Sequence, residues 1–210
     1  MDERIIHGPD CIAEGVAYLC KMEPRFDAAF AATGELPLRL RKDGFSALLD
    51  AIVSQQISVA AADSIWAKLA KAKLTSAKAI RNTEEDALRA CGLSRPKIRY
   101  AKALADAGIN YRSLHRSSME EVIGTLTAVT GIGKWTAEIY AMFSLGRADG
   151  FAAGDLALQE SARILFDLKD RPTERQLEDM AEAWRPWRSV AARQLWAYYR
   201  VAKQREGIRE

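Results

Sequence analysis

Residues 126–138, LTAVTGIGKWTAE, carry the pattern from which the rest of the fold can be inferred. An apolar helical segment leads into the turn Gly131-Ile132-Gly133, and a second helical segment starts directly after it. Glycine permits positive φ and a close approach of another backbone, and a helix start presents amide N–H groups that suit a phosphate oxygen. The pattern therefore predicts a helical hairpin that binds phosphate through its backbone, without reading the base sequence. On its own, a Gly-x-Gly turn more commonly marks an ordinary corner between two helices, with glycine as the C-cap.

The rest of the chain shows the same helical periodicity, with apolar residues at spacings of three and four and almost no alternating strand pattern. Two overlapping capping boxes, Ser117 with Glu120 and Ser118 with Glu121, predict a helix start just before the hairpin. Helices are predicted over residues 10–32, 45–52, 58–69, 75–81, 84–91, 94–107, 118–126, 134–145, 155–168, 173–184 and 187–204. We therefore expect an all-α protein of about ten helices.

The composition limits what kind of protein this is. The chain has 210 residues, 49% of them hydrophobic and 28% charged, which is enough for a hydrophobic core. No segment approaches the roughly 18 uninterrupted apolar residues of a membrane span, and the N-terminal MDERIIHGPD lacks the apolar core of a signal peptide. The three cysteines and two histidines are scattered and suggest no disulfide framework and no zinc or iron–sulfur site. We expect a soluble intracellular protein without a cofactor, whose net charge of +3 permits an acidic polymer as partner.

The hairpin resembles the DNA-binding hairpin of the helix-hairpin-helix DNA glycosylases. The shared residues are Leu126, Val129, Thr130, Gly131, Ile132, Gly133, Trp135, Thr136 and Ala137. The loop RADGFAAGDLAL, residues 147–158, follows the second helix, as a glycine-rich loop ending in the catalytic aspartate does in that superfamily. The resemblance implies an all-α, two-lobed fold with the active-site cleft between the lobes. It also implies one domain over residues 1–210, with the hairpin at 118–145, the catalytic loop and helix at 146–168, and no N-terminal β domain.

The same resemblance assigns functions within the hairpin. Contacts to DNA are expected at Thr130, Gly131, Gly133, Lys134 and Thr136. A monovalent cation that bridges to a DNA phosphate could be bound by the backbone carbonyls of Thr127, Val129 and Ile132. No catalytic metal is implied.

Three further segments narrow the resemblance to the 3-methyladenine DNA glycosylase II family. They are LLDAIVSQQISVAAADSIWAKL at 48–69, GLSRPKIRYAKALADA at 92–107 and WRPWRSVAARQLW at 184–196. The match extends over roughly residues 20–200, so it covers a whole domain rather than one motif.

Trp135 occupies the position that separates two branches of the superfamily. Members that also cleave the DNA strand place a lysine there, which attacks the sugar and forms a Schiff base. An indole cannot be that nucleophile, and Lys134, one residue earlier, projects from the helix in a different direction. The chain is therefore predicted to hydrolyse the glycosidic bond without strand cleavage.

Trp135 also suits a positively charged alkylated purine, because stacking of a cation on an indole contributes about 0.5–2 kcal/mol. By resemblance, Trp196 would form a second wall of the substrate pocket. Ile139 stands where some members have an aromatic residue, which implies a narrower substrate range. Trp66 lies on the apolar stripe of its helix and is predicted to be core, whereas Trp184 and Trp187 fit either a core or a pocket position.

Asp155 is the candidate catalytic residue. Taken alone, an aspartate at a helix start is more often a structural N-cap. Its place behind the hairpin matches the superfamily's catalytic carboxylate, which stabilises the oxocarbenium-like charge on the sugar and can orient or activate water.

The segment SQQIS, residues 54–58, interrupts the apolar pattern between two helices. By resemblance, Gln56 would fill the gap that a flipped base leaves in the duplex, with Gln55 and Ser58 also at the DNA. One or both amides could instead be structural, Gln55 more than Gln56, and Ser58 can cap the next helix. Basic residues that could touch phosphate or remain ordinary solvated charges are Lys97, Arg185 and Arg188.

Together these features predict a monomeric, monofunctional DNA glycosylase of base excision repair. It would flip alkylated purines of the 3-methyladenine and 7-methylguanine type out of double-stranded DNA and hydrolyse them. The expected location is the cytoplasm or nucleoid of a bacterium, or the nucleus of a eukaryote. The alternatives are a glycosylase of the same superfamily for another damaged or mismatched base, and a helix-hairpin-helix module that binds DNA without catalysis.

Overall fold

The computed structural model describes residues 4–203. Within that range it contains thirteen α-helices, one 3-10 helix and no β-strand, apart from a single antiparallel bridge between Ile5 and Arg147. The all-α prediction is confirmed. The helices are α1 (Pro9–Met22), α2 (Pro24–Thr33), α3 (Phe45–Ser54), α4 (Val59–Lys71), α5 (Ala77–Asn82), α6 (Glu85–Ala90), α7 (Arg95–Asp106), α8 (Tyr111–Leu114), α9 (Met119–Thr127), α10 (Lys134–Phe143), α11 (Leu156–Leu165), α12 (Glu174–Ala181) and α13 (Arg188–Lys203), with the 3-10 helix at Glu182–Trp184. None of these helices is long and apolar enough to cross a lipid bilayer.

The chain forms two compact units, one from residues 4–40 and 141–203, the other from residues 41–140. In the first unit, α13 is central and packs against α1, α2 and α11. Gly15 of α1 faces this helix, and a Cβ there would lie 2.6 Å from Val190 and 2.9 Å from the Trp187 ring. The missing side chain therefore permits the close approach of α1 to the start of α13.

The second unit is built around α3 and α7, which pack against each other. Four residues of α3 are completely buried, namely Leu48, Leu49, Ile52 and Val53. The other helices of this unit lead into α9 and α10, the two arms of the predicted hairpin. The four buried residues make α3 a central part of the core of this unit.

The prediction of one helix over residues 10–32 is wrong, because the chain breaks into α1 and α2. Glu23 is extended, with φ −142°, and its carboxylate accepts the Arg25 N–H at 3.1 Å. Pro24 has no N–H and its ring would clash with a carbonyl of the preceding turn, so it starts a helix and cannot continue one.

Two overlapping capping boxes were possible before α9, and the structure uses the second. Ser118 Oγ accepts the Glu121 N–H at 3.2 Å, and Glu121 Oε2 accepts the Ser118 N–H at 2.7 Å. Ser117 lies one residue before the N-cap, so the capping box of α9 is the Ser118–Glu121 pair.

Candidate active site and hairpin

The hairpin forms where the sequence predicts it. Helix α9 ends at Thr127, the Ile132 N–H donates to the Val129 carbonyl at 3.0 Å, and α10 begins at Lys134. Gly131 has φ +96°, and a Cβ there would lie 2.2 Å from Cγ of Tyr100. The turn therefore needs glycine both for its backbone conformation and for the close packing of α7.

The predicted DNA-contact residues of the hairpin differ in their exposure to solvent. Thr130, Gly133 and Lys134 lie at the surface, while Gly131 is half-buried. The side chain of Thr136 is buried, so a side-chain contact to DNA at this position is not available. Its backbone N–H, in the first turn of α10, is the group that could still face an anion.

The three carbonyls expected to bind a monovalent cation belong to the same turn. Neutral carbonyl oxygens bind such ions in proteins. The Val129 carbonyl already accepts the Ile132 N–H and retains a second lone pair. The donor set of Thr127, Val129 and Ile132 therefore fits the implied cation. No group of three or more His, Cys, Asp or Glu side chains that could hold a metal ion occurs within residues 4–203.

The turn after α3 contacts the hairpin directly. Gln55 Nε2 donates to the Gly131 carbonyl at 3.0 Å, which gives Gln55 a structural role. Gln56 is exposed and has φ +57°. Ser58 caps α4 as predicted, with Oγ accepting the Ala61 N–H at 3.3 Å. This turn, the hairpin turn and the start of α7 line a surface cavity of about 540 Å³.

Lys97 also lines this cavity, and its ammonium group makes a structural contact. Its side chain is buried, and Nζ donates to the Val53 carbonyl at 2.7 Å. Burial lowers the pKa of this lysine. The interpretation of Lys97 as an ordinary solvated charge is wrong, because the side chain is buried and its ammonium group donates to a carbonyl near the end of α3.

Asp155 is the N-cap of α11. Its Oδ1 accepts the N–H groups of Ala157 at 2.9 Å and Leu158 at 3.0 Å, and the indole N–H of Trp196 at 3.2 Å. The carboxylate is half-buried. Asp155 is thus a helix cap and also a charged group oriented by three donors, an arrangement that stabilises an anion.

Trp196 is placed differently from the expected pocket wall. The side chain is 1% exposed and packs against Phe143, with ring centroids 5.9 Å apart. It acts as a buried donor to Asp155 and has almost no ring surface for stacking on a base. Trp135 is 44% exposed, and Ile139, one turn later on α10, is half-buried.

Residues 49–187 match the HhH-GPD superfamily of base excision DNA repair proteins. The chain belongs to this superfamily. DNA-3-methyladenine glycosylase 1 of Schizosaccharomyces pombe is 32% identical over 178 residues, which cover 80% of this chain and 78% of the relative.

Two solved structures of the superfamily are similar to this one. The 3-methyladenine DNA glycosylase of Schizosaccharomyces pombe, in complex with abasic DNA, has a TM-score of 0.77 at 27% identity, covering 93% of this chain and all of that one. The DNA-3-methyladenine glycosidase of Bacillus halodurans has a TM-score of 0.79 at 27% identity, with 97% of this chain and 94% of that chain covered.

Two arginines of the W-x-PWRS segment are paired with carboxylates of their own unit. Arg185 and Arg188 both form ion pairs with Asp149 and with Glu182. The side chain of Arg188 is only 15% exposed and is not an ordinary solvated charge, whereas that of Arg185 is 50% exposed. The structure thereby identifies Asp149, which the sequence reasoning missed. The sequence did contain a signal for this pairing, because one motif carries two arginines and the loop before Asp155 carries an acidic residue.

The remaining tryptophans differ in burial. Trp184 and Trp187 are buried, at 3% and 2% exposure, and belong to the core of their unit. Trp184 packs against Phe26, Phe151 and Phe166. Trp66, predicted to be core, is half-buried.

Proposed function

We propose that this member of the HhH-GPD superfamily is a monofunctional DNA glycosylase that removes alkylated purines from double-stranded DNA. The observation that carries the proposal is the Asp155 carboxylate, which is fixed at the start of α11 by three N–H donors. The names of the relatives, which are 3-methyladenine glycosylases, support the class of substrate.

Asp155 would act on charge that develops at the sugar. Breaking the bond between C1′ and the base nitrogen leaves an oxocarbenium-like sugar, and a preoriented carboxylate stabilises it without reorganising. Oδ1 accepts from all three N–H donors, and we assign the oriented carboxylate to the sugar and to the attacking water. An alkylated purine already carries positive charge and is a good leaving group, which makes a separate general acid less necessary.

The absence of strand cleavage follows from Trp135 and its neighbour. Trp135 takes the position of the lysine nucleophile, and Lys134 Nζ lies 3.8 Å from Oε1 of the buried Glu138. The exposed indole of Trp135 is suited to stacking on a cationic base. Ile139, half-buried and aliphatic, would line the same region with a smaller side chain.

The hairpin and the turn after α3 would hold the DNA. Thr130, Gly133 and Lys134 are exposed at the hairpin, where backbone N–H groups can bind a phosphate. A monovalent cation on the hairpin carbonyls would add charge at that phosphate. Gln56, exposed and in the left-handed region, would enter the space left by the flipped base. The protein would act as a monomer.

A base-release assay on methylated double-stranded DNA tests the proposal. Release of 3-methyladenine or 7-methylguanine by the wild-type protein, lost in Asp155→Asn, is the expected result. Binding to abasic DNA without release of any base would instead support a non-catalytic DNA-binding module. A covalent adduct trapped with borohydride on abasic DNA would contradict the monofunctional mechanism, because only an amine nucleophile forms a reducible Schiff base.

A further inference from the structure

The W-x-PWRS segment forms a bidentate ion pair with the loop that carries Asp155. Arg188 Nε lies 2.7 Å from Asp149 Oδ1, and Arg188 Nη2 lies 2.9 Å from Asp149 Oδ2. The side chains of Asp149 and Arg188 are only 14% and 15% exposed. A bidentate pair with little exposure fixes both distance and orientation, which a single contact between a lysine and a carboxylate does not.

A second carboxylate completes the network. Glu182 Oε1 accepts from Arg188 Nη1 at 3.0 Å, and Glu182 Oε2 accepts from Arg185 Nε at 2.8 Å. Arg185 also donates to Asp149. The hydrogen bond from Arg185 lowers the pKa of Glu182, so this carboxylate remains charged at neutral pH. Each arginine therefore pairs with two carboxylates, Asp149 and Glu182, which together fix its position.

Further hydrogen bonds hold the loop on both sides of Asp149. The Ser189 N–H donates to the Ala148 carbonyl at 2.8 Å, and the Ala148 N–H donates to the Arg4 carbonyl at 3.0 Å. Further along the loop, Gln159 Nε2 donates to the Ala153 carbonyl at 2.9 Å. Asp149 lies six residues before Asp155. The Arg188–Asp149 ion pair is therefore one of the contacts that fix the conformation of the loop leading to the Asp155 carboxylate.

We propose that Arg188 is a positioning residue that acts through Asp149 to hold the Asp155 loop in its reactive geometry. Its consequence for catalysis rests on the proposed glycosylase function, while its effect on the loop does not. Arg188 donates to Asp149, six residues before Asp155, so we assign its influence to the loop backbone between the two acidic residues. Displacing a reacting group by about 1 Å lowers a rate by about 100-fold.

The test compares three single variants in single-turnover base release and in binding to DNA with an abasic site. Arg188→Met removes the pair, and Arg188→Lys retains the charge without the bidentate geometry. Arg163→Met is the matched control, because Arg163 forms a bidentate pair with Glu160, at 3.0 and 2.9 Å, in the same unit. We expect Arg188→Met to release base about 10- to 100-fold more slowly, with less than a threefold change in DNA affinity. Arg188→Lys should recover part of the rate, and Arg163→Met should match wild type.

A double-mutant cycle and hydrogen exchange make the inference independent of folding defects. If Arg188 acts through Asp149, the effects of Arg188→Met and Asp149→Asn on the rate will be less than multiplicative. Amide exchange over residues 149–155 should be faster in Arg188→Met than in Arg163→Met, measured on protein whose circular dichroism matches wild type. This measurement needs no enzymatic activity. If the wild-type protein releases no base but amide exchange over the loop is still faster in Arg188→Met, the glycosylase function is rejected and the positioning role is retained.

Two results would overturn the positioning role. The first is an Arg188→Met protein with wild-type release rates and wild-type exchange over the loop. The second is an equal loss of rate in Arg163→Met, which would mean that any lost ion pair in this unit slows the reaction.

Discussion

The indole Nε1 of Trp196 donates a hydrogen bond to Oδ1 of Asp155 at 3.2 Å, from a side chain that is 1% exposed. The same oxygen accepts two N–H groups from the first turn of α11. A helix cap alone would fix the carboxylate relative to α11. The indole adds a constraint from α13, so two helices determine the direction of the group that we propose to be catalytic.

Asp155→Asn should abolish most catalysis and preserve the fold. The amide oxygen of asparagine can still accept the Ala157 and Leu158 N–H groups, and Asn is as good an N-cap as Asp. The negative charge beside C1′ is lost, so we expect single-turnover base release to fall by about 100- to 10,000-fold. Thermal unfolding should stay close to that of wild type. A variant that releases methylated purines at the wild-type rate would remove Asp155 from the mechanism.

Trp196→Phe should slow base release by removing one donor while retaining an aromatic ring against Phe143. A hydrogen bond to a charged group contributes about 1.5–3 kcal/mol, so we expect a rate lower by about 10- to 150-fold, with unchanged DNA affinity. The control is Trp184→Phe, which changes an equally buried indole that packs on Phe26 and Phe166. If both variants lose rate in proportion to lost stability, the Trp196 effect is packing and not orientation of Asp155.

Gly131→Ala should destabilise the hairpin, whereas Gly133→Ala should not. A Cβ at Gly131 would lie 2.2 Å from Tyr100, and the φ of +96° is strained for alanine. A Cβ at Gly133 meets no atom within 4 Å. We expect Gly131→Ala to lower the free energy of unfolding by about 1–3 kcal/mol, measured by urea denaturation. Equal stability of the two variants would contradict the close packing of α7 on the turn.

The hairpin and Asp155 could be predicted from the sequence because their signals are local. Two glycines in one turn, a capping box at Ser118 and an aspartate at a helix start each specify a backbone conformation over a few residues. Resemblance to a known family then gave Asp155 its role. Reliance on local signals also explains the main error in the predicted fold. Apolar spacing alone predicted one helix where Pro24 separates α1 from α2.

The partners of long side chains could not be predicted in the same way. Lys97 is charged and lies near the start of a helix, yet its ammonium group meets a carbonyl 44 residues earlier in the chain. Arg188 and Asp149 are 39 residues apart, and Trp196 lies 41 residues from Asp155. Such pairs depend on how helices pack, which a single sequence does not specify.

Gln55→Ala and Gln56→Ala should differ although the residues are adjacent. Gln55→Ala removes the donor to the half-buried Gly131 carbonyl, so we expect a loss of about 1 kcal/mol in the free energy of unfolding and weaker binding to abasic DNA. Gln56 is exposed, and Gln56→Ala should leave stability unchanged. If Gln56 fills the gap left by the flipped base, its loss should slow base release on duplex DNA more than on single-stranded DNA. Equal rates on duplex DNA for Gln56→Ala and wild type would count against that role.

Tyr140 makes the stability of its unit sensitive to alkaline pH. Its hydroxyl accepts the Gly44 N–H at 2.8 Å, and burial raises the pKa of Tyr140 to about 12. An unfolded tyrosine loses its proton near pH 10. Between those values the folded state binds more protons than the unfolded state, so stability falls as pH rises from about 10 to 12. Tyr140→Phe removes this contribution and also leaves the Gly44 N–H without its acceptor.

Urea denaturation at pH 9 and pH 11 tests this effect. At pH 9 we expect Tyr140→Phe to be less stable than wild type by about 1–3 kcal/mol, because a half-buried N–H has lost its partner. By pH 11 the difference should be smaller, since only wild type is destabilised by the ionisation of Tyr140. Tyr111, whose pKa burial also raises, is present in both proteins. A difference in stability that stays constant or grows from pH 9 to pH 11 would show that Tyr140 does not contribute in this way.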